Sequence, residues 1–217
     1  MIAPSLAARD LACRRGDRVL FRGLSFALGP GEALHLAGAN GIGKSSLIRI
    51  LAGLMRAWHG SVAREGRVAL VDERLALDGH VPLGRALAFW RAVDGADDAS
   101  VEGVVGGEDR FGLADLRDVP VRYLSTGQRK RAALARLAAS EAPIWLLDEP
   151  LNGLDSAWAA QAQAAVAAHC AGGGLAVIAS HQPLTLLPLR TLALADFVPP
   201  PEAWDDANDA DDAGEDA

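Results

Sequence analysis

The stretch GANGIGKS, Gly38 to Ser45, decides how the rest of the chain reads. It fits G-x-x-x-x-G-K-S and stands between a strand-like apolar run, EALHLA at 32–37, and a helix-like run at 45–54. Gly38, Gly41 and Gly43 bring no side chain to the turn, so the backbone from Gly38 through Ala39, Asn40, Gly41, Ile42 and Gly43 can wrap its N–H groups around a phosphate. Lys44 supplies an ammonium for the β and γ phosphates, Ser45 a hydroxyl for Mg²⁺, and Ser46 belongs to the same helix start. The alternative, a glycine-rich turn with no ligand, is the poorer reading because the match sits in the strand-to-helix context the motif demands.

Working outward, 18–28 and 32–37 read as strands joined by the turn GPG at 29–31, and short strand-like runs follow at 61–63 and 67–72. A Leu/Ala/Trp helix is expected near 83–93, then a loop and short helices over 94–123. Helix 126–140, strand 144–148, helix 156–171 and strand 175–180 complete the series. Strands alternating with helices predict a mostly parallel sheet covered on both faces.

Three further stretches carry chemistry. IWLLDEP, Ile144 to Pro150, is an apolar strand ending in Asp148 and Glu149; the first suits the Mg²⁺ shell and the second a general base for an attacking water. GLAVIAS leads to His181, read either as an exposed strand tip or, beside Lys44 and Glu149, as a sensor of the γ-phosphate. LSTGQRKRAALARL, Leu124 to Leu137, opens a cationic helix with Ser125, Thr126 and Gly127, a second anion cradle in one chain.

Composition narrows the field. The net charge is −7 over 217 residues, but eight acidic side chains and no basic ones fall in 202–217, leaving residues 1–201 with 21 basic and 20 acidic groups. The acidic stretch is expected to be a disordered tail, and the near-neutral remainder gives no footprint for nucleic acid. No apolar run suits a membrane helix, no export signal is expected, and the reading is cytoplasmic. Cys13 and Cys170, the only cysteines, have no metal or redox spacing, and His169-Cys170 reads as structural.

With these residues in place the chain resembles the ATP-binding subunits of ABC transporters. GANGIGKS resembles their Walker A, LSTGQ (Leu124, Ser125, Thr126, Gly127, Gln128) their signature, IWLLDEP their Walker B, LNGLD ending at Asp155 their D-loop, and ASH their switch histidine. The resemblance implies a RecA-like P-loop NTPase core with a mostly parallel sheet, an N-terminal antiparallel β subdomain, and a helical subdomain inserted at about 74–125 within a domain of residues 1–201. It implies ATP and Mg²⁺ as ligands. It also implies a head-to-tail homodimer in which the signature of one chain meets the γ-phosphate held by the other, which explains the second cradle.

A narrower resemblance, to the CcmA family of cytochrome c maturation ATPases, rests on residues 11–54 and on the LSTGQRKRAALARL run. It implies a peripheral protein on the cytoplasmic side of the bacterial inner membrane, working with integral CcmB-like and CcmC-like subunits in haem export or in release of a haem-loaded chaperone. A soluble ABC-type ATPase with a DNA or ribosome partner, and a non-catalytic regulatory module, are the competing classes. The short span between Walker A and signature argues against the first, and Glu149 with His181 against the second.

The chain departs from the family pattern in three places. Arg15 stands where many relatives place an aromatic residue on adenine, and a guanidinium can stack on a purine. Thr126 replaces the commoner glycine. The Q-loop glutamine has no counterpart, since the strand RVALV runs into Asp72-Glu73; Glu73, with the longer reach, is favoured over Asp72 as a Mg²⁺ ligand, the alternative being a solvated turn.

Overall fold

Strands Ala33–Ala37 (β3), Ile144–Asp148 (β6) and Leu175–Ala179 (β7) are buried almost throughout, as continuous apolar strands must be when both faces of a sheet are covered. The computed structural model describes residues 3–94, 110–185 and 189–200. It places these strands at the centre of a five-stranded, all-parallel sheet of order β5-β6-β7-β3-β8, with Val68–Val71 (β5) and Leu189–Ala193 (β8) at its edges. A second, antiparallel sheet of order β2-β1-β4 is built from Ser5–Arg15 (β1), Arg18–Leu28 (β2) and His59–Glu65 (β4).

The period of two along a strand divides the core. On β6, Ile144 and Leu146 point to one side with Leu175, Val177 and Ala179 of β7; there they meet the antiparallel sheet and helix Lys44–Ala52 (α1). Trp145 and Leu147 point to the other side with Ala176 and Ile178 and meet helices Leu83–Asp94 (α2), Thr126–Ala139 (α3) and Ser156–Ala171 (α4). Leu146 and Leu147 are both fully buried, and truncating either to alanine would cost about 2–5 kcal/mol.

The expected elements appear within a few residues of their predicted ends, α1 stopping where Gly53 takes the left-handed conformation at φ 77°. Two strands went unread. In β1 the alternation of Leu6 and Ala8 breaks before Leu11 and Cys13, because Asp10 adopts φ 49° and the register with β2 and β4 shifts there. β8 is short and only partly covered, and it forms by pairing with β3, a partner far away in sequence. Ala114–Leu116 and Val121–Tyr123 are single 3₁₀ turns in the region expected to hold short helices. Residues 95–109 of that region and the acidic stretch 202–217 lie outside the described residues. No helix among the described residues is long and apolar enough to cross a membrane.

Candidate active site

The C-terminal ends of β3, β5, β6 and β7 bring the singled-out residues to one edge of the parallel sheet, where open α/β sheets bind ligands. Lys44 opens α1 directly after the loop. Its side chain is 5% exposed, and the ammonium donates to the carbonyls of Gly38 (2.7 Å) and Ala39 (3.2 Å). Gly43 is required for close approach: at φ 117°, a Cβ there would lie 3.2 Å from Leu20 and 3.3 Å from Phe21, so the loop rests directly on β2.

From the same ammonium Glu149 Oε1 is 3.4 Å away, and Glu149 Oε2 lies 2.9 Å from Nδ1 of His181. Glu149 is held in the left-handed region at φ 48°, a strained conformation for any residue that carries a Cβ. Its N–H donates to Ala179 O at 2.8 Å, which ties the turn after β6 to the end of β7 and brings Glu149 to His181.

Asp148 is 1% exposed and its Oδ1 has no hydrogen-bond partner. Burial pushes its carboxyl above the usual carboxylate range; the Ser45 hydroxyl opposes this, Glu149 and Glu73 add to it, and Arg49 opposes it. A buried, under-partnered carboxylate beside a serine hydroxyl is the donor set a hard divalent cation fits. Among the described residues no group of three or more His, Cys, Asp or Glu could hold a metal ion, so a cation here would draw on Asp148, Ser45 and at most one further carboxylate, with phosphate and water completing its shell.

A cavity of about 600 Å³ opens over the loop, lined by Asn40, Gly41, Gly43, Lys44, Ser45 and Ser46, with Arg15 and Arg18 from the β1–β2 hairpin and Glu73, Glu149 and Asn152. Arg15 is exposed, its guanidinium 3.6 Å from the Met55 sulfur. The two acids after β5 part company. Glu73 faces this cavity, whereas Asp72 accepts from the Arg74 N–H at 2.8 Å, approaches Arg49 at 3.8 Å and lines a separate cavity beneath α2 and α3.

None of Leu124, Ser125, Thr126, Gly127 or Gln128 lines the cavity. Ser125 caps α3, its hydroxyl accepting from the Gln128 N–H (3.1 Å) while Gln128 Oε1 accepts from the Ser125 N–H (2.7 Å). Asp155 caps α4, accepting from the Trp158 N–H at 2.9 Å. The two helix starts touch, since a Cβ on Gly127 would lie 2.8 Å from Gly153 O.

The site residues named from sequence did not include Arg18 and Asn152, which line the cavity, the second within the quoted LNGLD, nor the buried Lys130. Lys130 of α3 is 6% exposed; burial lowers its ammonium pKa, opposed by the charges of Asp148, Glu73, Asp72 and Glu149. The signal was present: Lys130 is the second of only two lysines in an arginine-rich chain. His169 and Cys170, read as structural, pack inside. His169 stacks on Trp145 with centroids 3.9 Å apart, and burial pushes the Cys170 thiol up to about 11.

A phosphate loop at the end of β3, a carboxylate pair at the end of β6 and a histidine at the end of β7 define an ABC-type ATP-binding protein. The ABC transporter family pattern matches residues 21–152, and the chain belongs to that family. Solved structures share the fold. An ABC-transporter ATP-binding protein from Pyrococcus furiosus superposes with a TM-score of 0.80 at 18% identity, covering 90% of this chain and 100% of its own; an ATP-binding subunit of another ABC transporter gives 0.75 at 22%, covering 81% and 79%.

Within the family the chain belongs with the cytochrome c biogenesis ATP-binding export proteins CcmA. It is 66% identical to the one from Novosphingobium aromaticivorans over 89% of this chain and 97% of that protein. The figures are 51%, 89% and 86% for Zymomonas mobilis, and 43%, 92% and 90% for Rhodospirillum rubrum.

Proposed function

We propose that the chain is the ATP-hydrolysing subunit of a cytochrome c maturation transport complex, acting in haem export or in release of a haem-loaded chaperone. The observation that carries the reading is the convergence of Lys44, Glu149 and His181 within hydrogen-bonding reach at one sheet edge, in a chain belonging with the CcmA proteins. The loop from Gly38 to Ser46 binds the phosphates. The Lys44 ammonium, held by two loop carbonyls and Glu149, is placed to donate to a bound γ-phosphate.

Glu149 accepts a proton from the attacking water as its oxygen bonds to the γ-phosphorus and the bond from that phosphorus to the bridging β-phosphate oxygen breaks, giving ADP and inorganic phosphate. His181, whose Nδ1–H donates to the same carboxylate, orients it and senses the γ-phosphate. Ser45, Asp148 and Glu73 would hold Mg²⁺, which when bound neutralises charge on the β and γ phosphate oxygens. Arg15 offers a guanidinium plane to the base.

The start of α3, from Leu124 to Gln128, lies off the cavity of its own chain, which supports its service to a second copy in a head-to-tail dimer. Residues 1–201 then act as one ATP-binding domain, with the segment at about 74–125 as its helical part and the acidic stretch 202–217 as an appendage. Integral CcmB-like and CcmC-like subunits recruit the dimer peripherally to the cytoplasmic face of the inner membrane, and nucleic acid has no part.

The test is Glu149→Gln, which keeps shape and hydrogen bonding but removes the base. ATP binding should persist while turnover falls by about two decades or more and ATP-bound dimers accumulate. Near-normal turnover would remove Glu149 from the reaction. Co-purification from membranes separates a transporter subunit from a soluble ATPase of the same family.

A further inference from the structure

One buried cation has no part in the reaction described above. Lys130 is 6% exposed, and among the described residues no hydrogen bond or ion pair reaches its ammonium. Its place in the molecule follows from the direction of α3. Just past the end of that helix, Glu141 lies 3.4 Å from Arg67 at the start of β5; at its first turn, a Cβ on Gly127 would lie 2.8 Å from Gly153 O, after β6. Helix α3 therefore runs antiparallel to β5 and β6. Along it Lys130, Ala133, Leu134 and Leu137 share one face. Ala133 and Leu137 line the cavity beneath α2 and α3 together with β5, and Leu134 packs with Leu147 of β6. Lys130 continues that face by one turn toward the start of α3, which sets it beside the C-terminal ends of the two strands.

Each of those strand ends carries two acids, Asp72 and Glu73 after β5, Asp148 and Glu149 at β6. Their charges are the ones that act on Lys130, Asp148 first. Asp148 is itself 1% exposed, and one of its oxygens has no hydrogen bond. Two buried groups of opposite charge, neither fully partnered, thus occupy the same strand ends. Burying either one alone would be costly. Together they offset each other without direct contact, because Coulomb attraction carries further where water is excluded.

We propose that Lys130 is the built-in counter-charge of the cation site: it offsets the carboxylates of Asp148 and Glu73 in the cation-free chain, and by the same charge it weakens their hold on a divalent cation. The inference rests on the reading of the cavity as an ATP site with Mg²⁺ beside Ser45. Lys130 acts through Asp148 and Glu73 and is a positioning residue; it sets how much Mg²⁺ the site needs.

The experiment uses the full chain with ADP, so that nothing turns over. Lys130→Met keeps the length and the apolar stem and removes the charge. The midpoint of the Mg²⁺ dependence of ADP affinity should fall about tenfold in this variant and stay within about twofold in Lys130→Arg, as expected if a nearby unit charge acts on a divalent ion. Lys130→Gln, neutral but polar, should reproduce the Met result. In EDTA, Lys130→Met should lower the thermal midpoint of the unmodified chain, since it strands the carboxylates. It should lower that of Asp148→Asn much less, because the charge it chiefly offsets is already gone. The inference is overturned if both neutral variants leave the Mg²⁺ midpoint unchanged or raise it, or if Lys130→Arg shifts it as they do. A stability loss of equal size with and without the Asp148 charge overturns it too, as does no loss at all. An unmodified chain that binds no ADP ends the reading of the cavity, and the comparison in EDTA still decides whether Lys130 offsets Asp148.

Discussion

The ammonium of Lys44 lies 3.4 Å from one oxygen of Glu149, while the other oxygen of that carboxylate lies 2.9 Å from His181. One side chain thus links the loop after β3 to the turn after β7. The salt bridge is sheltered, with the Lys44 and Glu149 side chains 5% and 15% exposed, so removing one partner strands the other. Lys44→Ala should weaken ATP binding about 10- to 100-fold, the range expected for losing charge-assisted bonds to phosphate. Lys44→Arg should fail to restore it, because a planar fork cannot occupy the space in which the loop carbonyls hold a compact ammonium. Calorimetric titration with ATP measures both; native affinity in the Arg variant would show that the loop tolerates a guanidinium.

The two acids after β5 make a sharper pair. Glu73 faces the cavity and Asp72 is engaged by Arg74 and Arg49. Glu73→Ala should shift the Mg²⁺ titration of turnover to higher concentration and reduce stimulation by the membrane partner, while Mg²⁺-free nucleotide binding stays intact. Asp72→Ala should leave the titration alone and loosen the turn it caps. A changed Mg²⁺ dependence in Asp72→Ala with none in Glu73→Ala would reverse the assignment.

Contact between the start of α3 and the loop before α4 bears on the head-to-tail dimer proposed above. A Cβ on Gly127 would meet Gly153 O at 2.8 Å, so Gly127→Ala must displace one helix start from the other. Turnover should fall about tenfold or more, while ATP still binds at the Lys44 loop of the same chain. Mixing this variant with Lys44→Ala should give heterodimers with one intact composite site and turnover above either parent. Mixtures that never exceed their parents would speak against pairing in trans.

His169 predicts a pH dependence of stability. Burial against Trp145 lowers its pKa below the ordinary 6.5, opposed by bonding to the backbone of Pro143 and Leu175. In the window between its folded pKa and 6.5 the unfolded chain binds more protons, so stability rises with pH through that window. The contribution is fully present above 6.5 and is lost as pH falls through the folded pKa. Thermal midpoints should therefore drop below about pH 6.5, and His169→Gln should flatten that part of the profile. An unchanged slope in the Gln variant would assign the acid sensitivity elsewhere.

Much of this architecture was written in local pattern. The glycine spacing of 38–45 and the unbroken apolar runs 144–148 and 175–179 each depend on neighbours in the chain, and each formed where expected. The strands β1 and β8 were harder to see, because a bulge at Asp10 disrupts one alternation and pairing with a distant strand creates the other. In the site, Lys44, Glu149 and His181 were legible because a conformationally special loop or a strand end marks each one. Asn152 and Lys130 were marked only indirectly, the one by its place in LNGLD and the other by the rarity of lysine, and neither mark says where the side chain will lie.

The sequence by itself determined the residue types available to hold phosphate and to move a proton, because backbone freedom at glycine and side-chain chemistry are local properties. Only the tertiary structure decided which of Asp72 and Glu73 faces the cavity and whether Asn152 reaches its wall. It also decided that the start of α3 lies off the cavity of its own chain. Those outcomes depend on the direction in which each strand end releases the chain, and that direction is set by the register of β5, β6, β7 and β3 against one another. A one-residue slip in that register would leave the composition of the motif intact and turn its side chains to the opposite face.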